Sequence, residues 1–286
     1  MEKLRKYYID YSKAIGEDFS EYEFNEQGLP LVRFSRAEDW QHNPVTISQY
    51  ALHNLNRYLN SKNEQERELF CTMADWLVQN AEPGPNNSRV WYYHVDIPFY
   101  QLKKPWLSAM AQGQALSALC RAWHLTGDER YLDTARQSFP IFSIPVEEGG
   151  IMRNYPDGSL SFEEYPSTPP SYVLNGLIFA LLGLYDYYIS DNNKLASELF
   201  RKAIAGLKEN IAWYDTGFWS FYDLMPPVRL ASKRYHRLHI MLLQNLSEIT
   251  GENLFTEIAE RWNHYLKQPS CHVRWFITRI KERIAA

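Results

Sequence analysis

The chain has little cysteine. Cys71, Cys120 and Cys271 are odd in number, widely spaced and form no CxxC pair. That pattern excludes a disulfide framework and a zinc ribbon. No apolar run reaches the roughly 18 residues needed to cross a bilayer. The longest candidate, 172–188, is interrupted by Asn175 and Asp186 and reads as a buried helix. The opening stretch, MEKLRKYYIDYSKAIGEDF, has no apolar core of the kind a signal peptide carries. A cytoplasmic protein without a membrane partner is expected. Neither sign of charge dominates: 30 Lys and Arg stand against 34 Asp and Glu, a net charge of −4. This argues against a general polyanion-binding surface such as one for nucleic acid, so an acidic ligand would need a local basic patch.

What the chain does have is aromatic side chains. Tyrosine (20), phenylalanine (14) and tryptophan (9) make up 15% of 286 residues. So many rings suit either a surface that stacks on sugar faces or a large helical core.

Apolar spacing then sets the organisation. Ile47, Tyr50, Ala51, Leu55 and Tyr58 fall near one helical face. Further helices are predicted near 64–80, 107–125, 128–138, 169–188, 194–212, 235–249 and 253–267, with a short basic helix over 272–284. Pro169-Pro170 suits the opening of the fourth of these, where a missing N–H is no loss. RVWYYHV (89–95) alternates like a strand, and GLPLVRF (28–34) predicts another. Gly149-Gly150 and Asp157-Gly158 place a small hairpin within 142–165. Helix pairs begin near 47, 108, 169 and 235, a period of about 61–66 residues. LTGDERYLDTA (125–135) and ITGENLFTEIA (249–259) turn alike at Thr-Gly-acid. The pattern predicts a mainly α fold, an (α/α) toroid of about four helical hairpins with small β-hairpin insertions; a four-helix-bundle-like or superhelical arrangement stays open, since the period does not prove closure. Residues 1–42 would be an N-terminal extension and 43–286 the catalytic domain.

Polar groups gather at the starts of the apolar helices. SAMAQGQA (108–115) carries Gln112; EEYPSTPPSYVLNG (163–176) carries Glu164, Tyr165 and Asn175; KRYHRLHI (233–240) carries Tyr235, His236, Arg237 and His239. Tyr222 lies in the aromatic loop ahead of the last. In a toroid these starts converge at one end, where a carboxyl and phenols can act as acid–base pairs. Lys233, Arg234 and Arg237 are the nearby cations that would ease phenol ionisation. Taken singly, Glu164 is an ordinary partner for a helix N-terminus and the tyrosines are ordinary core or rim residues. Asn175 is less ordinary, because a buried amide needs a partner. His236 and His239, three residues apart, could ligate a metal, but no third ligand is evident, and no metal site is expected.

EEYPSTPPSYVLNGLIFALLGLYDYY resembles the signature of the D-glucuronyl C5-epimerases, enzymes of heparosan and heparan sulfate precursors. The likeness recurs, in order, in NPVTISQYAL (43–52), SAMAQGQA, the Tyr-Asp-Thr-Gly…Tyr-Asp-Leu block (214–224) and YHRLHI (235–240). The resemblance implies an (α/α) toroid, an anionic glucuronate polysaccharide as partner, a dimer, and no cofactor. It implies conversion of D-glucuronate to L-iduronate by removing the C5 proton and returning one to the opposite face. Carried over by motif, Glu164 and Tyr235 are the acid/base groups, with Tyr165 and Tyr222 also at the reacting sugar. Asn175, Gln112, Arg237 and His239 would bind substrate. Glu163 has no role and is expected to face solvent. Two departures bear on substrate. Animal members carry a large β-rich region ahead of the helical one, and an Arg-His pair where this chain has Met225-Pro226-Pro227. Two other classes share the architecture or the rings: a polysaccharide lyase or uronyl hydrolase on the same barrel, and a non-catalytic glycan-binding scaffold.

Overall fold

Most of the described helices begin where the chain supplies a side-chain cap. The computed structural model describes residues 4, 6–11, 19–20, 22–34 and 39–285. Helix α1 (Pro44–Ser61) starts at Asn43, whose Oδ1 accepts from the amides of Val45 and Thr46, with Pro44 at the first position. Asn63 opens α2 (Glu64–Gln79), Ser108 opens α3 (Ala109–Thr126), and Asp128 opens α4 (Glu129–Ser138). Asn193 opens α6 (Lys194–Asn210) and Ser232 opens α7 (Lys233–Thr250). Gly127 and Gly251 end α3 and α7 in the left-handed conformation that the turn requires. Helix α8 (Asn253–Lys267) and helix α9 (Pro269–Ala285) complete the chain.

Helix α5 (Leu174–Asp191) begins five residues later than Pro169-Pro170 suggests. The backbone donors just before it are committed elsewhere. Tyr172 gives its amide to the Glu163 carboxylate at 3.1 Å and sits at φ 46°. Leu174 gives its amide to the carbonyl of Tyr222 at 3.2 Å.

Helices α1, α3, α5 and α7 pack side by side in chain order, and each is followed by an outer partner, α2, α4, α6 and α8. The fold is the expected mainly α, (α/α) toroid type. Nearly every side of α3 and α5 is covered. Their axes come close because both carry glycine at the crossing. A Cβ on Gly113 would lie 2.5 Å from Ala180 Cα, and one on Gly183 would lie 2.1 Å from the Gly113 carbonyl oxygen. Farther along, buried Arg121 of α3 pairs with buried Asp186 of α5. Tyr8 donates to Asp186 at 2.6 Å, and the Arg121 guanidinium lies 5.0 and 5.1 Å from the ring centres of Tyr7 and Tyr8. Asn56 clasps the same segment, accepting from the Tyr7 amide at 2.6 Å. Early residues thus sit in the core beside α3 and α5.

Among the described residues, four two-stranded antiparallel ribbons decorate the helices: β1 (Glu23–Phe24) with β2 (Pro30–Leu31), β3 (Glu82–Pro83) with β4 (Arg89–Val90), β5 (Tyr92–Tyr93) with β6 (Trp106–Leu107), and β7 (Met152–Asn154) with β8 (Leu160–Phe162).

Candidate active site

Successive side chains of an extended strand point to opposite sides. Glu163 and Glu164 leave β8 in this way and part company. Glu163 does not face solvent, contrary to the sequence expectation; it is fully buried. Its Oε2 accepts from the Ser171 hydroxyl at 2.5 Å and the Tyr172 amide, and Arg153 lies 3.4 Å from Oε1. Its carbonyl accepts from the Ala109 amide at 2.9 Å. Glu163 therefore clamps the 163–174 turn and ties it to the start of α3. Burial pushes its carboxyl up to about 7.

Glu164 turns the other way and lines a cleft of about 360 Å³. Asn175 donates to its Oε2 at 3.2 Å, and Tyr165 also hydrogen-bonds to it. Burial outweighs both contacts, and the Asp223 charge adds to it, so the carboxyl is raised to about 8. Gly176 makes room for this side chain: a Cβ there would lie 2.3 Å from Glu164 Oε2.

Tyr165 rests on Tyr100, ring centres 4.0 Å apart and 10° from parallel, and lies tilted at 41° against Trp106. Tyr235 stands at the cleft rim, 37% exposed, in the first turn of α7. Tyr222 lies behind it, ring centres 4.8 Å apart, and hydrogen-bonds to it. Crowding raises all three phenols, with the Glu164 charge next in size, so they are proton donors near neutrality. Asn43, Tyr93, Trp106 and Arg234 share the cleft, joined by Tyr22 and Phe34 from the N-terminal region.

The structure thus brings Glu164, Tyr165 and Tyr235 onto one cavity, backed by Asn175 and Tyr222. Three other candidates lie elsewhere. Gln112 is fully buried, and both ends of its amide hold the Trp91 backbone, at 2.9 and 3.3 Å. His239 is fully buried, its Nδ1 3.0 Å from the Ser220 hydroxyl; His236 shares that hydroxyl at 2.7 Å. Burial holds both imidazoles neutral. Arg237 is exposed and away from the cleft, while Arg234, three residues back on the helix, lines it.

Sequence reading missed Arg229. Its guanidinium pairs with buried Asp223, donates to the Tyr100 hydroxyl at 2.5 Å, and lies 5.5 Å from the Tyr222 ring centre. A cation therefore stands beside Tyr222 even though Met225-Pro226-Pro227 follows it. The loop returns antiparallel, with Phe221 bridged to Leu230 and the Tyr222 amide donating to the Arg229 carbonyl at 2.8 Å. No short motif signals that return.

Paired helices that present a carboxyl and several phenols to one ring-lined cleft define a class of site suited to proton transfer. The chain belongs to the D-glucuronyl C5-epimerase family, because residues 85–264 match the family described as D-glucuronyl C5-epimerase C-terminus. It is 33% identical over 228 residues to the D-glucuronyl C5-epimerase of Caenorhabditis elegans, covering 72% of this chain and 36% of that protein. The chain therefore spans only about a third of the nematode relative's length. An uncharacterized protein of Methanocaldococcus jannaschii is 33% identical over 218 residues, covering 71% of this chain and 70% of its own. Among solved structures, a GH76 alpha-mannanase of Bacteroides thetaiotaomicron superposes with a TM-score of 0.53 at 11% identity, covering 83% of this chain and 62% of that one. That likeness concerns the fold alone.

Proposed function

We propose that the chain epimerises glucuronate residues at C5 within a heparosan-like polysaccharide. The observation that carries this reading is the pairing of Glu164, its carboxyl raised to about 8, with the Tyr235 phenol on one cleft. One group removes the C5 proton from one face of the ring and the other delivers a proton to the opposite face. Atoms and charge balance over the cycle, so no oxidant or reductant enters. A carboxylate poised near neutrality is a stronger base than an ordinary one, and a phenol above its usual range keeps its proton until the carbanion forms. Charge that develops on the uronate carboxylate needs donors aimed at it. Arg234 lines the cleft for that task, and Tyr165 and Tyr222 supply phenols. Asn175 holds Glu164 in place.

The test is isotope exchange. Incubation with heparosan in heavy water is expected to place deuterium at C5 without shortening the chains. Tyr235→Phe should slow exchange by about 10²–10⁴-fold, the usual contribution of a positioned acid or base, while polymer binding persists. Chain cleavage with the ultraviolet absorbance of an unsaturated uronate would identify a lyase instead. Failure to exchange on every glucuronate polymer would end the epimerase reading.

A further inference from the structure

Helix α9 is built inside out relative to an ordinary surface helix. Its inner side is latched by polar contacts. The Trp275 indole N–H donates to the Ala231 carbonyl at 2.9 Å, the Glu282 carboxylate accepts from the Leu230 amide at 2.9 Å, and Arg279 pairs with Glu282 at 2.8 Å. Cys271 packs inward beside Trp219 and Leu230. The outer side is apolar: Val273, Phe276, Ile277, Ile280 and Ile284 are each 42–81% exposed. At 3.6 residues per turn these five share an arc of about 100°. Exposed Arg274 and Lys281 run along one flank of that stripe. The sole acid of α9, Glu282, is turned inward and already paired. The sequence of α9 holds four basic residues against this one acid, in a chain whose net charge is −4.

We propose that this outer face of α9 docks in the plane of an anionic lipid surface. A helix with an apolar stripe and flanking cations lies at the headgroup boundary with its stripe inserted, and anionic lipid answers the cations. The acidic remainder of the chain would then be held away from the surface. The other occupants fit less well. Val273, Ile277, Ile280 and Ile284 have the four-three-four spacing of a paired-helix seam, but a second copy would bring its own Arg274 and Lys281 against these, cation to cation. A glucuronate polymer would satisfy the cations and leave the isoleucines in water. The assignment departs from the expectation of no membrane contact, and it does not depend on the epimerase reading.

Co-sedimentation of the full chain with vesicles tests it. Binding is expected to vesicles of phosphatidylcholine mixed with phosphatidylglycerol, to weaken as salt rises, and to be lost with phosphatidylcholine alone. The double variant Phe276→Ser, Ile280→Ser changes only outward side chains. It should keep the wild-type unfolding midpoint and bind vesicles about tenfold more weakly, as expected for two apolar side chains withheld from the lipid. No binding to the anionic vesicles at low salt would overturn the proposal, as would salt-independent binding to both kinds. Wild-type binding by the double variant would overturn it too. So would a dimer in sedimentation that requires Phe276 and Ile280 and excludes vesicles.

Discussion

Two neighbouring glutamates show how little a residue's identity says without its surroundings. In the sequence Glu163 and Glu164 are equivalent. Alternation along the strand sends one into a clamp and the other into the cleft. The motif resemblance singled out Glu164, and the structure places it on the cavity. Glu163 was misplaced because its partners, Ser171 and the Tyr172 amide, come from a turn that residue types alone do not draw. The folded pKa of Glu164, about 8, lies above its ordinary value of 4.5, so the folded chain holds a proton that the unfolded chain has released. Stability from this source is present below about pH 4.5 and is lost as pH rises through 8. Glu164→Gln stays neutral at every pH. Its unfolding midpoint should fall less than that of the wild type between pH 5 and 8, with the wild type losing up to about 1.4 kcal/mol for each pH step of one across that window. Thermal melts across the same range check this, and parallel curves would count against a proton on Glu164.

At the scale of elements, most helix starts were legible because Asn, Ser or Asp stands at the boundary. The start of α5 was not, since a proline pair mimics a first turn while the decisive hydrogen bonds come from Glu163 and Tyr222. The first turn of α5 also touches the Glu164 side chain. Gly176→Ala would drive a methyl into the Glu164 carboxyl. We expect a loss of about 1–3 kcal/mol, as for other overpacked sites, together with loss of C5 exchange. Denaturant titration and exchange measured on the same sample would separate the effects. A variant with wild-type exchange would show that Glu164 tolerates displacement.

For the whole molecule, the repeat near sixty residues announced the paired helices before any geometry was known. It gave no sign that residues before the first repeat reach the middle of the fold. Tyr7 and Tyr8 flank the buried Arg121–Asp186 pair, and no periodicity links positions so far apart. Removing the chain through Tyr11 should leave Asp186 short of a donor and Arg121 short of its rings. The loss should be at least about 1.5–3 kcal/mol, the usual worth of a hydrogen bond to a charged group. A lowered unfolding midpoint in denaturant would show it, whereas an unchanged midpoint would make the segment a mere adjunct.

The backbone bonds between the third and fourth repeats have a consequence for how the site comes into being. Leu174 donates to Tyr222, and Leu224 donates to Ser171 at 2.9 Å, so the Glu164 turn and the Tyr222 loop are stitched into one sheetlike seam. Neither repeat owns the cleft. During folding the seam must wait for two distant stretches to dock, and such non-local closure comes late. Assembly of the cleft is therefore all-or-none across these repeats: a fragment ending after α6 would lack both the Tyr222 loop that fixes the Glu164 turn and the Tyr235 phenol of α7.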